Sequence, residues 1–315
     1  MVDSIRVLVT GGAGFIGSTI VDLLVERGHT VAVLDSLVTG FRANLNPEAT
    51  FYEADIRDPE ALAKALADFR PQVIDHHAAQ ISVAVSSRDP AFDAAANVVG
   101  SLNVLEASRA AGVEHVIFAS TGGALYGNPG ERPVDETTTI APLSPYGAAK
   151  ASVEVYLRMY HDTWGVSYTA LRYSNVYGPR QTADGEAGVV AIFAGRMLRG
   201  ERPVVFGDGE QSRDFVYVGD VAKANLLAVE LRLQGGYNVG VGEAASVNQV
   251  TAELASACDY AGPVDHAAER EGEVRSITLD ASKLTGETGW RPTVSLAEGI
   301  RLTVEDHKAR PSRTG

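Results

Sequence analysis

The amino-acid sequence predicts an α/β protein: a doubly wound parallel sheet with helices on both faces and a smaller, discontinuous substrate-binding lobe. Three observations carry this expectation. Strand-like apolar runs alternate with helical stretches through the first half of the 315 residues, the rhythm of a parallel sheet with crossover helices. The first strand, Ile5-Arg6-Val7-Leu8-Val9, runs into Gly11-Gly12-Ala13-Gly14-Phe15-Ile16-Gly17, a glycine turn that opens a helix. After residue 172 the alternation gives way to a segment rich in glycine and arginine over 176–216.

Strands are expected over 5–10, 30–34, 73–76 and 115–120, separated by helices over 15–27, 59–69 and 91–110. Gly28, Gly112 and Gly165 each follow a helical stretch, where the left-handed backbone of a C-terminal cap suits glycine. Asp58-Pro59 and Asp89-Pro90 can each open a helix through an N-cap carboxylate and a proline at the first helical position. A helix over 146–164 and a strand over 167–172 follow; a helix near 221–231 and a short strand over 237–239 return to the sheet, and Ser246 and Ser295 are N-cap candidates for two later helices. The dinucleotide-binding body is therefore placed at 1–175, with 217–242 returning to it, and the substrate lobe at 176–216 and 243–315.

Composition narrows the function. With 45% hydrophobic and 21% charged residues the chain can bury a large core, and a net charge of −13 argues against nucleic acid as a partner. Cys258 is the only cysteine, which excludes an intrachain disulfide and a cysteine-rich zinc site. No basic, signal-like leader precedes the first strand and no apolar run reaches membrane-spanning length, so a cytoplasmic enzyme is expected. His76 and His77 are adjacent on a strand and point to opposite faces, and the other histidines are scattered, so no metal site is expected.

The glycine turn fits two spacings, Gly12-x-Gly14-x-x-Gly17 and Gly11-x-x-Gly14-x-x-Gly17. In either, glycines let the backbone approach a pyrophosphate, and the helix starting near Phe15 offers free N–H groups and a positive dipole end. Asp35 closes the second strand, where a carboxylate binds ribose hydroxyls and repels a 2′-phosphate; this favours NAD over NADP. Asp55 follows the next short strand and can reach the adenine edge. The set describes a Rossmann-type dinucleotide site; the competing reading is a turn that only packs a strand against a helix.

Tyr146 and Lys150, the ends of Tyr-Gly-Ala-Ala-Lys, share a helix face. A tyrosine of ordinary pKa, about 10, is a poor base at neutral pH, but an ammonium nearby and an oxidised nicotinamide would stabilise its phenolate. Such a pair also arises by chance, as a ring beside a surface charge. Ser120 and Thr121 follow a β-branched strand at the carboxyl edge of the sheet, where a hydroxyl can meet the reacting oxygen.

With His77-Ala-Ala-Gln80, Arg172-Tyr-Ser-Asn-Val-Tyr-Gly-Pro-Arg-Gln181 and Arg213-Asp-Phe-Val-Tyr-Val-Gly-Asp220 added, the chain resembles the extended short-chain dehydrogenase/reductase family over about residues 5–307, most closely its bacterial UDP-glucose 4-epimerases. The resemblance implies Tyr146 as base, Lys150 on the nicotinamide ribose, and Thr121 or Ser120 as the assisting hydroxyl. It implies an NAD site lined by Gly11, Gly14, Phe15, Ile16, Asp35, Ser36, Thr39, Gly40, Asp55, Ile56, Ala78, Ala79, Gln80, Asn97, Tyr146, Lys150 and Tyr173. A UDP-hexose would meet Thr121, Tyr146, Asn175, Val189, Val190, Val204, Phe206, Arg213, Arg270 and Ile277, with the arginines on the diphosphate, Phe206 near the uracil and Ile277 as a wall near sugar C2. A homodimer paired through the helices at about 91–110 and 146–164 is implied as well.

The implied reaction interconverts UDP-galactose and UDP-glucose through a transient 4-keto sugar. Rival readings are a UDP-N-acetylglucosamine 4-epimerase, a nucleotide-sugar 4,6-dehydratase and a non-catalytic NAD-sensing module. Dehydratases of the family carry an Asp-Glu pair where this chain has Gly122-Gly123-Ala124, with no group to protonate a leaving hydroxide. Two departures stand out: Gly122 occupies the usual serine or threonine position, and Ser174 replaces an aromatic residue expected near the nicotinamide.

Overall fold

The computed structural model describes residues 3–130, 132–182, 188–269 and 275–310. In chain order the elements are β1 (Arg6–Thr10), α1 (Phe15–Glu26), β2 (Thr30–Asp35), β3 (Thr50–Glu53), α2 (Pro59–Phe69), β4 (Val73–His76), α3 (Val83–Arg88), α4 (Pro90–Ala94), a π turn (Ala95–Val99), α5 (Gly100–Ala111), β5 (His115–Thr121), α6 (Gly122–Leu125), α7 (Pro145–Trp164) and β6 (Ser167–Tyr173). There follow β7 (Asn175–Tyr177), α8 (Val189–Leu198), β8 (Val204–Phe206), β9 (Ser212–Tyr217), α9 (Val218–Leu231), β10 (Gly235–Val239), β11 (Ala244–Ser246), α10 (Val247–Ala257), β12 (Asp265–Ala267), β13 (Ser276–Ile277), α11 (Ser282–Thr288) and α12 (Leu296–Ala309). Two compact units result, one of residues 1–126, 139–172 and 222–237, the other of 127–138, 173–221 and 238–315.

The first unit is built on a seven-stranded sheet in the order β10-β6-β5-β4-β1-β2-β3. Strands β1, β2, β4 and β5 are buried almost end to end, as parallel strands covered on both faces must be. On one face Leu8, Ile74 and Phe118 meet Leu62 and Leu66 of α2, Val104 and Leu105 of α5, and Val153 and Leu157 of α7. The order reverses between β1 and β4, which pair in parallel from Val7↔Val73 to Thr10↔His76. Their carboxyl ends therefore frame the crevice where open sheets of this kind bind ligands.

The expected caps are present. Asp58 accepts from the amides of Glu60 and Ala61, Asp89 from Phe92, Ser246 from Gln249 and Ser295 from Glu298. The helix expected over 91–110 is interrupted: α4 and α5 are joined by the π turn at 95–99. Such turns insert one residue into the helical ladder and are frequent at functional sites. Here the turn contains Asn97.

In the second unit β9 is the hub, paired with β7, β11 and β13, while β8 and β12 form a separate pair. Val190, Phe193 and Met197 of α8 pack with Val250 and Leu254 of α10, Ile300 and Val304 of α12, and Phe215 of β9. Two buried carboxylates organise the connections: Asp214 accepts from the amides of Val241, Gly242 and Leu279, and Asp220 from those of Thr293 and Val294. Among the described residues no helix is long and apolar enough to cross a membrane.

Candidate active site

The glycine turn lies at the reversal point. Gly11 has φ +70°, and a Cβ there would stand 2.6 Å from the amide nitrogen of Ala78, while a Cβ on Gly17 would collide with the Gly11 carbonyl. A Cβ on Gly12 would stand 2.9 Å from both methyls of buried Val33 and 3.2 Å from the Val9 carbonyl. Gly11, Gly12 and Gly17 are thus all positions a Cβ would crowd, and Gly11 alone of the three also has a positive φ. Helix α1 starts at Phe15 and Ile16 from an N-cap, Gly14, that offers no side-chain cap, and no acid occupies its first turn. The N–H groups there have no intrahelical partner, so turn and helix fit a pyrophosphate.

Asp35 is buried at the end of β2, where Oδ2 accepts from Ala13 N at 3.0 Å and Oδ1 from Leu37 N at 2.8 Å. It ties the second strand to the glycine turn. Gly40 packs directly on it, since a Cβ would stand 2.9 Å from Oδ1, and Ser36 and Thr39 occupy the loop between. Asp55 is held by Arg57, with Oδ2 2.6 Å from Nη2 and Oδ1 3.0 Å from Nε, and this bonding keeps its carboxyl below the usual range. An arginine thus occupies the carboxylate expected at the adenine edge. Ile56 is buried in the core against Gly100, and Asn103 donates to its carbonyl at 3.1 Å.

After β4 the chain passes Ala78 and Ala79 to Gln80. Asn97 clasps this segment reciprocally: its Oδ1 accepts from Gln80 N and its Nδ2 donates to Gln80 O, both at 2.8 Å. Tyr173 closes β6 as a buried side chain. His76 bonds Thr10 Oγ1 at 2.7 Å and Ser101 Oγ at 2.9 Å, and burial, then the charge of Lys150, pushes its pKa down to about 3. His77 pairs with Asp75 at 2.9 Å.

Ser144 N-caps α7 and Pro145 starts it, so Tyr146 and Lys150 fall on one face. Gly147 is obligatory, because a Cβ would collide with the Ala124 carbonyl of α6. Lys150 Nζ donates to Ala119 O at 2.8 Å, lies 4.6 Å from the Phe118 ring centroid and 5.9 Å from that of Tyr146. Burial draws its pKa down to about 8, opposed by Asp93 and then Glu154. Among the chain's own groups, burial, then the charge of Asp93, pushes the Tyr146 phenol up to about 12. The ammonium is spent on a strand carbonyl and a ring, while the charge of Asp93 opposes the phenolate.

The two candidate hydroxyls differ. Ser120 is buried and donates to Glu154 Oε1 at 2.5 Å; Glu154 is also gripped by Arg172, whose Nη1 bonds Tyr126 Oη at 2.8 Å. Thr121 N-caps α6 by accepting from Ala124 N at 3.2 Å, which uses a lone pair and not its proton. Ser174 donates to Asp214 Oδ1 at 3.2 Å, so its small size serves the β9 hub.

In the second unit Arg213 and Ile277 are register partners across β9 and β13, and Asn175 pairs with Phe215. Val205 points into the core, while Val204 and Phe206, on the other face of β8, are half-buried. Val190 and Ile277 are buried, and Val189 lies beside that core. Arg270 lies outside the described residues. The sequence reading passed over Asp93 and Glu154. Each lies four residues from a residue it did select, Asn97 and Lys150, and the shared helix face was the available signal.

A Rossmann sheet, a pyrophosphate-fitting turn and a Tyr-Lys pair at the same sheet edge define a dinucleotide-dependent enzyme, and the chain belongs to the NAD dependent epimerase/dehydratase family, which matches residues 7–240. It is 47% identical over 299 residues to a putative UDP-glucose 4-epimerase of Methanocaldococcus jannaschii, covering 95% of this chain and 97% of that one. Among solved structures it is similar to UDP-glucose 4-epimerase from Thermotoga maritima with UDP-glucose (TM-score 0.93, 49% identity, 96% of this chain and 99% of that one). It is equally similar to the UDP-glucose 4-epimerase of Thermus thermophilus in complex with NAD (TM-score 0.93, 49% identity, 97% and 100%).

Proposed function

We infer that this protein is an NAD-dependent UDP-glucose 4-epimerase that interconverts UDP-galactose and UDP-glucose. The observation that carries the reading is Tyr146 and Lys150 on one face of α7, with Lys150 Nζ 2.8 Å from the Ala119 carbonyl of β5, the strand that ends at Thr121. NAD, held at the Gly11–Gly17 turn, Asp35 and the Gln80–Asn97 segment, supplies when bound a reversible hydride acceptor for sugar C4 and a positive charge near the phenol. Tyr146 Oη takes the proton of the C4 hydroxyl and later returns it to the 4-keto oxygen. Thr121 Oγ donates to that same oxygen, and Lys150 holds the nicotinamide ribose. Asn175, Phe206 and Arg213 would hold the nucleotide while the sugar turns, so that either face of C4 could be presented to the cofactor.

A homodimer in a reducing, cytoplasmic setting belongs to this reading. Phe92, Val99, Val155 and Tyr156 leave large apolar groups exposed on α4, the π turn and α7, which supports pairing through these helices, and Cys258 is a free thiol. The test is product analysis by NMR after incubation with UDP-galactose and, in parallel, UDP-N-acetylgalactosamine, with and without added NAD. The 4-epimer from UDP-galactose is expected. A 4-keto-6-deoxy product, or no change in any arm while NAD is bound, overturns the reading.

A further inference from the structure

The first turn of α7 has one amide that is satisfied from outside the helix. Pro145 has no N–H, Gly147 N donates to Ser144 Oγ at 3.1 Å and Ala148 N to the Ser144 carbonyl at 2.9 Å. The amide between them belongs to Tyr146, and it donates to Ser86 Oγ of α3 at 3.2 Å. Ser86 is fully buried, and its own hydroxyl proton goes to the Val83 carbonyl at 2.7 Å, leaving a lone pair for the backbone of Tyr146. Ser87 beside it donates to the same carbonyl at 3.0 Å but is exposed. The bond within α3 is therefore common to both serines, and the bond to Tyr146 sets Ser86 apart.

The other end of α3 is fastened to the segment assigned to NAD. Asn97 clasps the Gln80 backbone from both sides, and the Gln80 side chain clasps Ser82 in the same way: Oε1 accepts from Ser82 N at 2.5 Å and Nε2 donates to Ser82 O at 2.9 Å. The Ser82 hydroxyl caps α3 by accepting from Val85 N at 2.8 Å, and the Ser82 carbonyl accepts from Ser86 N at 3.0 Å. Hydrogen bonds thus run without a break from Asn97 through Gln80 and Ser82 to Ser86 and the amide of Tyr146. We propose that Ser86 is a positioning residue for Tyr146, and that α3 is a strut that sets the backbone of this residue from the cofactor-holding segment; the inference rests on the reading of Tyr146 as the base and of Gln80 and Asn97 as part of the NAD site. A bond to the main chain leaves the phenol free to exchange its proton while the frame that carries it stays in place. Placement matters because a shift of about 1 Å in a reacting group can cost on the order of 10²-fold in rate. NAD bound beside Gln80 and Asn97 is then felt at the first turn of α7.

Ser86→Ala removes the acceptor and little else. With UDP-galactose, kcat should fall roughly three- to tenfold, the worth of one neutral hydrogen bond, while KM and NAD affinity stay within about twofold. Ser87→Ala, which cuts the twin bond to Val83, should leave all three unmoved. Amide hydrogen exchange followed by NMR, with and without NAD, reads the strut independently of turnover. In the wild type NAD should slow exchange roughly threefold or more at Gly147 and Ala148 as well as at Gln80 and Ser82. In Ser86→Ala the slowing at Gln80 and Ser82 should remain and that at Gly147 and Ala148 should be lost. Those two amides keep their Ser144 acceptors in the variant, so the loss reports the strut and not the missing bond. Wild-type kcat in Ser86→Ala, or an equal fall in Ser87→Ala, would overturn the proposal, as would NAD-dependent protection of the α7 amides that is absent from the wild type or survives in Ser86→Ala. If the wild-type protein turned over no UDP-hexose, the epimerase reading would fail while the exchange measurements still decided the role of α3.

Discussion

The two ends of the candidate site are prepared in opposite ways. At the cofactor end the chain's own bonds fix the groups around the glycine turn: Asp35 accepts from Ala13 and Leu37, and the turn is closed by backbone contacts, while Asp55 is taken up by Arg57. At the chemical end burial works against the forms the reaction needs, since the Tyr146 phenol is pushed up to about 12 and Lys150 drawn down to about 8. Hydrogen bonding therefore fixes the groups at one end, whereas charge balance at the other calls for a cation next to the phenol. Preorganised dipoles suffice to bind a pyrophosphate and ribose, but a proton-transfer pair must stay switchable, and burial makes it sensitive to a single added charge.

The largest effect should come from deleting the switchable group while keeping its ring. Tyr146→Phe retains the packing of α7 and removes the base, so kcat should fall by roughly 10²–10⁴-fold. NAD affinity, measured by calorimetry, should stay within about twofold, because none of the chain's cofactor-end bonds involves the phenol. Full turnover in this variant would remove the mechanism. A parallel loss of NAD binding would erase the distinction between the two ends.

At the cofactor end the corresponding cut is Asp35→Ala. It removes the expected ribose acceptor and leaves the Ala13 amide without its partner. A hydrogen bond to a charged group is worth about 1.5–3 kcal/mol, so NAD should bind roughly ten- to a hundredfold more weakly. At saturating NAD, kcat should be nearly unchanged. A fall in kcat that excess NAD does not restore would show that Asp35 acts on the chemistry as well as on binding.

How far the site was legible in the sequence follows the same division. The glycine turn, Asp35 and the caps at Asp58, Asp89 and Ser246 are local devices, in which each side chain serves backbone a few residues away or at the next strand end, and spacing reveals them. The break in the 91–110 helix was not legible, because a π turn changes hydrogen-bond register without a composition signal. Helical spacing puts Lys150 and Tyr146 on one face, but it does not show that the ammonium turns to the Ala119 carbonyl or that the charge of Asp93, on another helix, acts on the phenol. In the second unit α8, β8 and β9 fall inside the segment read only as glycine- and arginine-rich, since three- to six-residue strands give too few alternations to register.

The smallest effect sharpens the choice between two neighbouring hydroxyls that sequence left open. Ser120 gives its proton to buried Glu154, so Ser120→Ala should be felt as stability, about 1–3 kcal/mol in denaturant unfolding, with kcat little altered. Thr121 uses only a lone pair in capping α6, so its proton can meet the sugar oxygen. Thr121→Val should lower kcat by about five- to tenfold, the worth of one neutral hydrogen bond, and Thr121→Ser should restore both the cap and the rate. The serine rescue matters because loss of the cap alone would also disturb α6, whose Ala124 carbonyl sits against Gly147 at the start of α7. If instead Ser120→Ala lost the rate and Thr121→Val did not, Glu154 would have to release the Ser120 hydroxyl during turnover. The hydrogen bond that now makes Ser120 a structural residue would then be part of the chemistry.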